Sequence, residues 1–205
     1  MNDNLQSRSA FNFTLCLLLA AAVSIFYSAV KFGGGVFLGQ SHLIVSVISV
    51  ACLICASFMI NQINNVPVQL AGFVIIPAIL GVFSARWMVN VDHTALMQAG
   101  LVTVLCIGVT MLASVLFPNL FIRAIGVLFI ALIAVIVTSI ISMLFFHTYL
   151  SFLDYVSVVI FMGFLGYDIV ESREVPPNFS YAIAIAGKAF VDILNIFTSV
   201  LMTED

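Results

Sequence analysis

Charged side chains are the scarcest feature of this sequence. Only 7% of its 205 residues are Asp, Glu, Lys or Arg, whereas a soluble domain carries about 25% charged residues. Hydrophobic residues make up 63% of the chain, which excludes a soluble globular protein. The Lys and Arg residues are scattered rather than clustered, and this excludes nucleic acid as a principal partner. The lipid bilayer is therefore the first expected partner.

The sequence also lacks the motifs of hydrolytic and metal-dependent enzymes. It contains no Ser/His/Asp order, HExxH or GxSxG, and within the predicted spans no residue set supplies both a nucleophile and a base. Cys52 and Cys55 have the CxxC spacing but no second ligand pair, and all the cysteines lie in apolar stretches. We therefore expect no enzyme, no catalytic residue and no cofactor of an enzyme.

Seven apolar runs fill the chain, separated by short polar or proline-containing breaks such as Pro118-Asn119 and Pro176-Pro177. A helix needs about 20 apolar residues to cross a bilayer, and a barrel strand about 10 alternating ones, so continuous runs of this length favour helices. The sequence predicts an all-α, multi-pass integral membrane protein with one transmembrane domain, residues 1–205. The predicted spans are 11–30, 43–60, 66–85, 95–117, 121–146, 148–170 and 179–201. A bacterial inner membrane and a eukaryotic endomembrane or plasma membrane fit this pattern equally well.

Three aspartates lie within the predicted spans, and of these Asp154 is interpreted as an interfacial charge near the start of the sixth span, which leaves Asp168 and Asp192. An ionisable group near the bilayer centre costs about 2.5–3.5 kcal/mol, so it must face the protein or a water-filled cavity. Asp192 has about ten residues of the last span on each side, and Asp168 closes the apolar run of the sixth. A helix-end residue in the membrane interface is the alternative for Asp168. We expect the two carboxylates to approach each other or to share a bridging partner.

The last span carries a polar stripe, which consists of Lys188, Asp192, Asn195 and Ser199 on one face of a helix. This stripe predicts that the seventh helix is central and buried. A self-neutralising pair of Lys188 and Asp192 that only fixes helix packing is the alternative. If Asp168 meets the stripe, two carboxylates and one ammonium share a low-dielectric site, which can bind cations or protons.

The carboxy-terminal part of the chain resembles the Bax inhibitor family of transmembrane proteins. The resemblance lies in Tyr-Asp-Ile at residues 167–169, in Phe-Val-Asp-Ile-Leu-Asn-Ile-Phe at residues 190–197, and in the distance between the two aspartates. It implies seven helices, of which six surround the seventh, and a pH-sensitive calcium leak. It also implies that Asp168 and Asp192 form a paired-aspartate pH sensor and a cation site, with calcium as the bound or transported ion. Family members are associated with suppression of cell death.

Lys188 departs from the family pattern, because relatives carry an uncharged residue there. Its ammonium would compete with Ca²⁺ for Asp192, so we expect Lys188 and Asn195 to modulate the site. Two functions stay open at this point. One is a pH-sensitive cation leak, for calcium or protons, and the other is a non-transporting membrane regulator that binds other membrane proteins in cell-death or protease modulation. A proton-coupled transporter is disfavoured because the sequence shows no internal repeat.

Overall fold

The computed structural model describes residues 6–33, 42–88, 91–146 and 150–203. Within these residues the chain is all-helical and contains no strand, which confirms the predicted fold class. The seven α-helices are α1 (Arg8–Gly33), α2 (His42–Ile60), α3 (Val66–Met88), α4 (His93–Leu116), α5 (Pro118–Ile141), α6 (Phe152–Glu174) and α7 (Phe179–Met202). Helix α5 continues into a π-helical turn, Ser142–Phe146.

Six of these helices are long and apolar enough to cross a membrane. The exception is α2, whose apolar stretch Ile48–Ile60 is shorter within the described residues. Helix α7 is the most buried of the six candidates, because 61% of its best 18-residue stretch is inside the protein. The prediction that the seventh helix is buried is therefore confirmed.

Two helix ends differ from the hydropathy pattern. Helix α5 begins at Pro118, which the sequence suggested as a break, because proline fits the first turn of a helix where no N–H partner is needed. Helix α6 runs to Glu174, beyond the predicted end of the sixth span, since polar residues extend a helix past the hydrocarbon. Residues 148 and 149, where that span was predicted to begin, lie outside the described residues.

Helices α1 to α3 and residues 175–190 form one compact unit, the first unit. In it, α3 packs against both α1 and α2. Two glycines of α3 permit these contacts. A Cβ on Gly72 would lie 2.8 Å from the backbone oxygen of Ala56, and one on Gly81 would lie 2.6 Å from that of Phe26. Close backbone approach at small residues is the usual way in which membrane helices associate.

The first half of α7 belongs to this unit and is held by a polar contact. The buried Gln69 of α3 donates its Nε2 to the carbonyl of Ile60 at 2.9 Å and to the carbonyl of Ser180 at 3.0 Å. Phe11 of α1 also packs against α7, at Ala182 and Ile185. One glutamine thus joins the end of α2 and the start of α7 to α3.

Helices α4 to α6 and residues 191–205 form the second unit, of which residues up to 203 are described. In it, α6 packs against both α5 and α4. The buried residues of α4 are small, namely Ala99, Thr103, Thr110 and Ser114. Phe121 of α5 lies on Gly166 of α6, where a Cβ would collide with its ring. Small residues again allow the helices to approach closely.

Candidate functional site

Both predicted aspartates are buried in the second unit. Asp168 of α6 is 4% exposed and Asp192 of α7 is 9% exposed. Each makes at least one interaction with the protein. The side chain of Asp168 is therefore enclosed by protein, although the residue lies near the end of its apolar run. Direct contact between the two carboxylates stays a prediction.

Asp168 lies on a specific face of α6. Ser157, Phe161, Phe164 and Asp168 are spaced by four, three and four residues, so they share one face of the helix. The first three line an open cavity of about 730 Å³ in the second unit. The carboxylate of Asp168 therefore continues the helix face that forms one wall of this cavity.

Asp192 lines the cavity itself, together with Asn195 one turn further along α7. Most of the remaining lining is apolar, with Ser139 of α5 and Ser157 of α6 as the further polar members. The hydroxyl of Ser157 donates to the carbonyl of Leu153 at 2.8 Å, so its oxygen lone pairs can still accept. The polar part of the cavity is thus made of groups that can all offer an oxygen to a cation or to a proton donor.

The predicted polar stripe of α7 is only partly inside the protein. Asp192 and Ser199 are buried and Asn195 is partly buried, but Lys188 is exposed. The expectation of a wholly buried stripe is therefore wrong for Lys188, although its neighbours Gly187 and Ala189 are buried. The reason lies in its length, because a lysine can cover apolar surface with its stem while its ammonium extends outward. Lys188 also makes an interaction of its own.

The donor set bears on the expected calcium site at Asp168 and Asp192. Among the described residues, no group of three or more His, Cys, Asp or Glu side chains is arranged to hold a metal ion. Ca²⁺ takes six to eight oxygen ligands. A Ca²⁺ ion here would take oxygen ligands from two carboxylates, the Asn195 amide and the serine hydroxyls, and would need water for the rest. Such a ligand set suits an ion that passes through better than one that stays bound.

The cavity serines and Gln69 were missed by sequence reasoning. Ser139 and Ser157 each stand in an apolar run, and single serines are common in membrane helices as packing residues. Gln69 carries a clearer signal, because an amide near the start of a membrane helix needs a buried partner. Its two acceptors lie in α2 and α7, and no local spacing points to them.

The comparison with protein families agrees with the carboxy-terminal motifs. A family model described as "Inhibitor of apoptosis-promoting Bax1" matches residues 7–203. The chain belongs to the Bax inhibitor family. No curated protein matches it. Bax inhibitor proteins are generally membrane regulators or channels rather than enzymes, and membership together with the apolar helices makes this chain a multi-pass integral membrane protein.

Proposed function

We propose that this Bax inhibitor protein is a pH-sensitive cation leak, with calcium as the expected cargo and with Asp168 and Asp192 as its sensor. The observation that carries the proposal is the burial of both carboxylates in one unit, with Asp192 on the wall of a cavity. A buried carboxylate in a membrane protein is costly. Such a group persists where its charge or its protonation is used.

The second unit offers few other groups that change charge. Among its described residues, the Asp, Glu, His, Lys and Arg side chains at or in α4 are Asp92 and His93, and α5 has Arg123, all near helix starts. Helix α6 adds Asp154 in its first turn, and its last turn carries Glu171, Arg173 and Glu174. Residues 191–203 contain only Asp192. Protonation of Asp168 and Asp192 therefore changes the charge of the interior more than any other titration does.

Protonation provides the gate in this proposal. When the carboxylates are ionised, they attract a cation to the cavity and repel each other through a low dielectric. When one accepts a proton, both effects weaken, and the helices around the cavity repack. The leak therefore changes with pH, and the pH midpoint belongs to the pair rather than to either residue.

Lys188 modulates this response. It lies one turn before Asp192 on the same helix, a spacing at which a positive charge favours the ionised form of a carboxylate and so substitutes in part for a bound cation. Replacing it by alanine is expected to raise the calcium flux at neutral pH and to move the pH midpoint upward. Lys188→Arg keeps the charge but changes its geometry, so its effect is smaller. Lys31→Ala, at the last turn of α1, is the matched control.

The test is calcium flux into liposomes that hold the purified protein, measured from about pH 5 to 8. The wild type is expected to show flux that changes with pH, and Asp168→Asn and Asp192→Asn are expected to flatten this dependence. Asp154→Asn is the control and retains it. Background flux at every pH would contradict the proposal and favour the second function, a regulator that binds other membrane proteins without moving ions.

A further inference from the structure

The cavity of the second unit has the size and composition of a small-molecule site. Its volume of about 730 Å³ lies within the range of about 300–1,000 Å³ that is usual for such sites. The aromatic rings of Phe161 and Phe164, whose centroids are 6.1 Å apart, line one wall, and Ile136 lines another. Asp192 and Asn195 are the polar groups on the α7 side.

The charge of the lining selects the ligand. Among the described residues, no Lys, Arg or His side chain lines this cavity, whereas Asp192, which is 9% exposed, lines it with a carboxylate. Asp192 already interacts with the protein, and because a carboxylate has about four lone-pair sites, it can pair with a ligand beside its protein partner. An anion would be repelled here. A bare inorganic cation finds oxygen ligands only on the polar side of this cavity and gains nothing from its apolar walls, so it is held only in passing, whereas an ammonium with an apolar body gains from both.

We propose that this cavity binds an amphipathic amine, a single ammonium attached to an aromatic or branched apolar body. The ammonium pairs with the carboxylate of Asp192 and donates a hydrogen bond to the side-chain carbonyl oxygen of Asn195. The apolar body fills the space between α5 and α6, and the rings of Phe161 and Phe164 add a favourable face for a cation. The proposal goes beyond the cation leak, because equilibrium binding needs neither a gradient nor calcium.

The depth of the carboxylate favours a free amine over the headgroup of a phospholipid. Asp192 lies 13 residues after the start of α7 at Phe179 and 10 before its end at Met202, which corresponds to about 20 Å and 15 Å along the helix axis. A phospholipid amine is bound to a phosphate that stays at the membrane surface. It would reach Asp192 only by drawing that phosphate into the hydrocarbon, which is costly.

The test uses three ligands with one phenylbutyl skeleton, namely 4-phenylbutylamine, 4-phenylbutan-1-ol and 4-phenylbutyrate. Their binding to the full-length protein in nanodiscs is measured by equilibrium dialysis in calcium-free buffer at neutral pH, with empty nanodiscs subtracted. The amine is expected to bind about tenfold more tightly than the alcohol, as one desolvated charge pair would provide. The butyrate is expected to bind least.

Two variants locate the site. Asp192→Asn is expected to bring the amine down to the affinity of the alcohol, while alcohol binding persists. Phe161→Leu, a milder change, is expected to weaken amine and alcohol alike by about threefold to tenfold through lost ring contacts. Asp154→Asn should change neither. Equal binding of amine and alcohol to the wild type would overturn the proposal, and so would an amine preference that survives Asp192→Asn.

This experiment separates the site from the leak. Loss of pH-dependent calcium flux with intact amine selectivity would refute the proposed function and leave the amine site standing. A pH-dependent flux together with equal binding of the three ligands would refute the amine site and leave the leak.

Discussion

Helices α5 and α7 are opposites in composition and in burial. The stretch Pro118–Phe146, which contains α5, is the most apolar candidate span, yet none of its best 18 residues is buried. Helix α7 is among the least apolar candidates, and 61% of the corresponding stretch is buried. In a soluble protein the more apolar helix would be the buried one. In this protein the most apolar helix leaves its surface to lipid, whereas the helix with more polar and small residues is buried against protein.

The buried half of α7 illustrates the second part of this rule. Between residues 182 and 189 its small residues are all buried, namely Ala182, Ala184, Ala186, Gly187 and Ala189. These small residues bring neighbouring helices close, and Ile60 of α2 occupies the space where a Cβ on Gly187 would lie. Helix α5 offers instead a surface of exposed branched residues. The same chain therefore contains one helix suited to lipid and one suited to protein.

The largest expected effect comes from placing a carboxylate, like the buried one of Asp192 in α7, on the exposed surface of α5. Ile130 is 69% exposed near the middle of Pro118–Phe146, so Ile130→Asp puts a carboxylate into hydrocarbon at a cost of about 2.5–3.5 kcal/mol. We expect reduced membrane insertion and a lower thermal unfolding midpoint in nanodiscs. Ile130→Val is the apolar control. Normal insertion and stability of Ile130→Asp would break the comparison, because they would mean that this face of α5 does not contact lipid.

The second prediction tests where α5 does contact protein. Phe121 is the buried residue of α5 among those described, and its ring lies on Gly166. Gly166→Ala forces the ring to move and should reduce the free energy of unfolding by about 1–3 kcal/mol. Gly126→Ala is the matched control on α5 itself, because a Cβ there meets nothing within 4 Å. Equal effects of the two substitutions would show that the contact at Phe121 is not tight.

Much of this comparison could be predicted from the sequence. Apolar runs broken by prolines and amides indicated all seven helices, because in a membrane a helix satisfies its own backbone. The polar stripe indicated that α7 is buried. The exposure of Lys188 could not be predicted from its spacing, since the position of a residue on a helix face does not determine where a long side chain ends. The cavity depends on residues of three helices, and a pattern within one helix cannot show which side chains of another leave space beside it.

The third prediction concerns the glutamine that holds α7. Gln69→Met keeps the side-chain length but removes the hydrogen bonds to Ile60 and Ser180, each worth about 0.5–1.5 kcal/mol. The buried Oε1 of Gln69 has no hydrogen-bond partner among the described residues, so its removal offsets part of the loss. We expect the thermal unfolding midpoint to fall modestly, by less than in Gly166→Ala. Gln98→Met, at an exposed position of α4, should leave the midpoint unchanged, and an equal fall in both variants would contradict a specific role for Gln69.

The smallest effect is expected at a carboxylate that lies outside the candidate spans. Asp92 caps α4, and hydrogen bonds from Thr94, whose backbone N–H is 3.1 Å from Oδ2, hold the pKa of the Asp92 carboxyl below its ordinary value. Because the pKa is lower in the folded state, the ionised group stabilises the fold above the unfolded pKa. This contribution is lost as the pH falls through the folded pKa.

Asp92→Asn keeps the cap acceptor but cannot titrate. We therefore expect the thermal unfolding midpoint of the wild type to lie slightly above that of Asp92→Asn at neutral pH. This gap between the two midpoints should close below about pH 4. A gap that is independent of pH would mean that the charge of Asp92 does not stabilise α4, and the exposed carboxylate would then differ from the buried pair both in burial and in its use of charge.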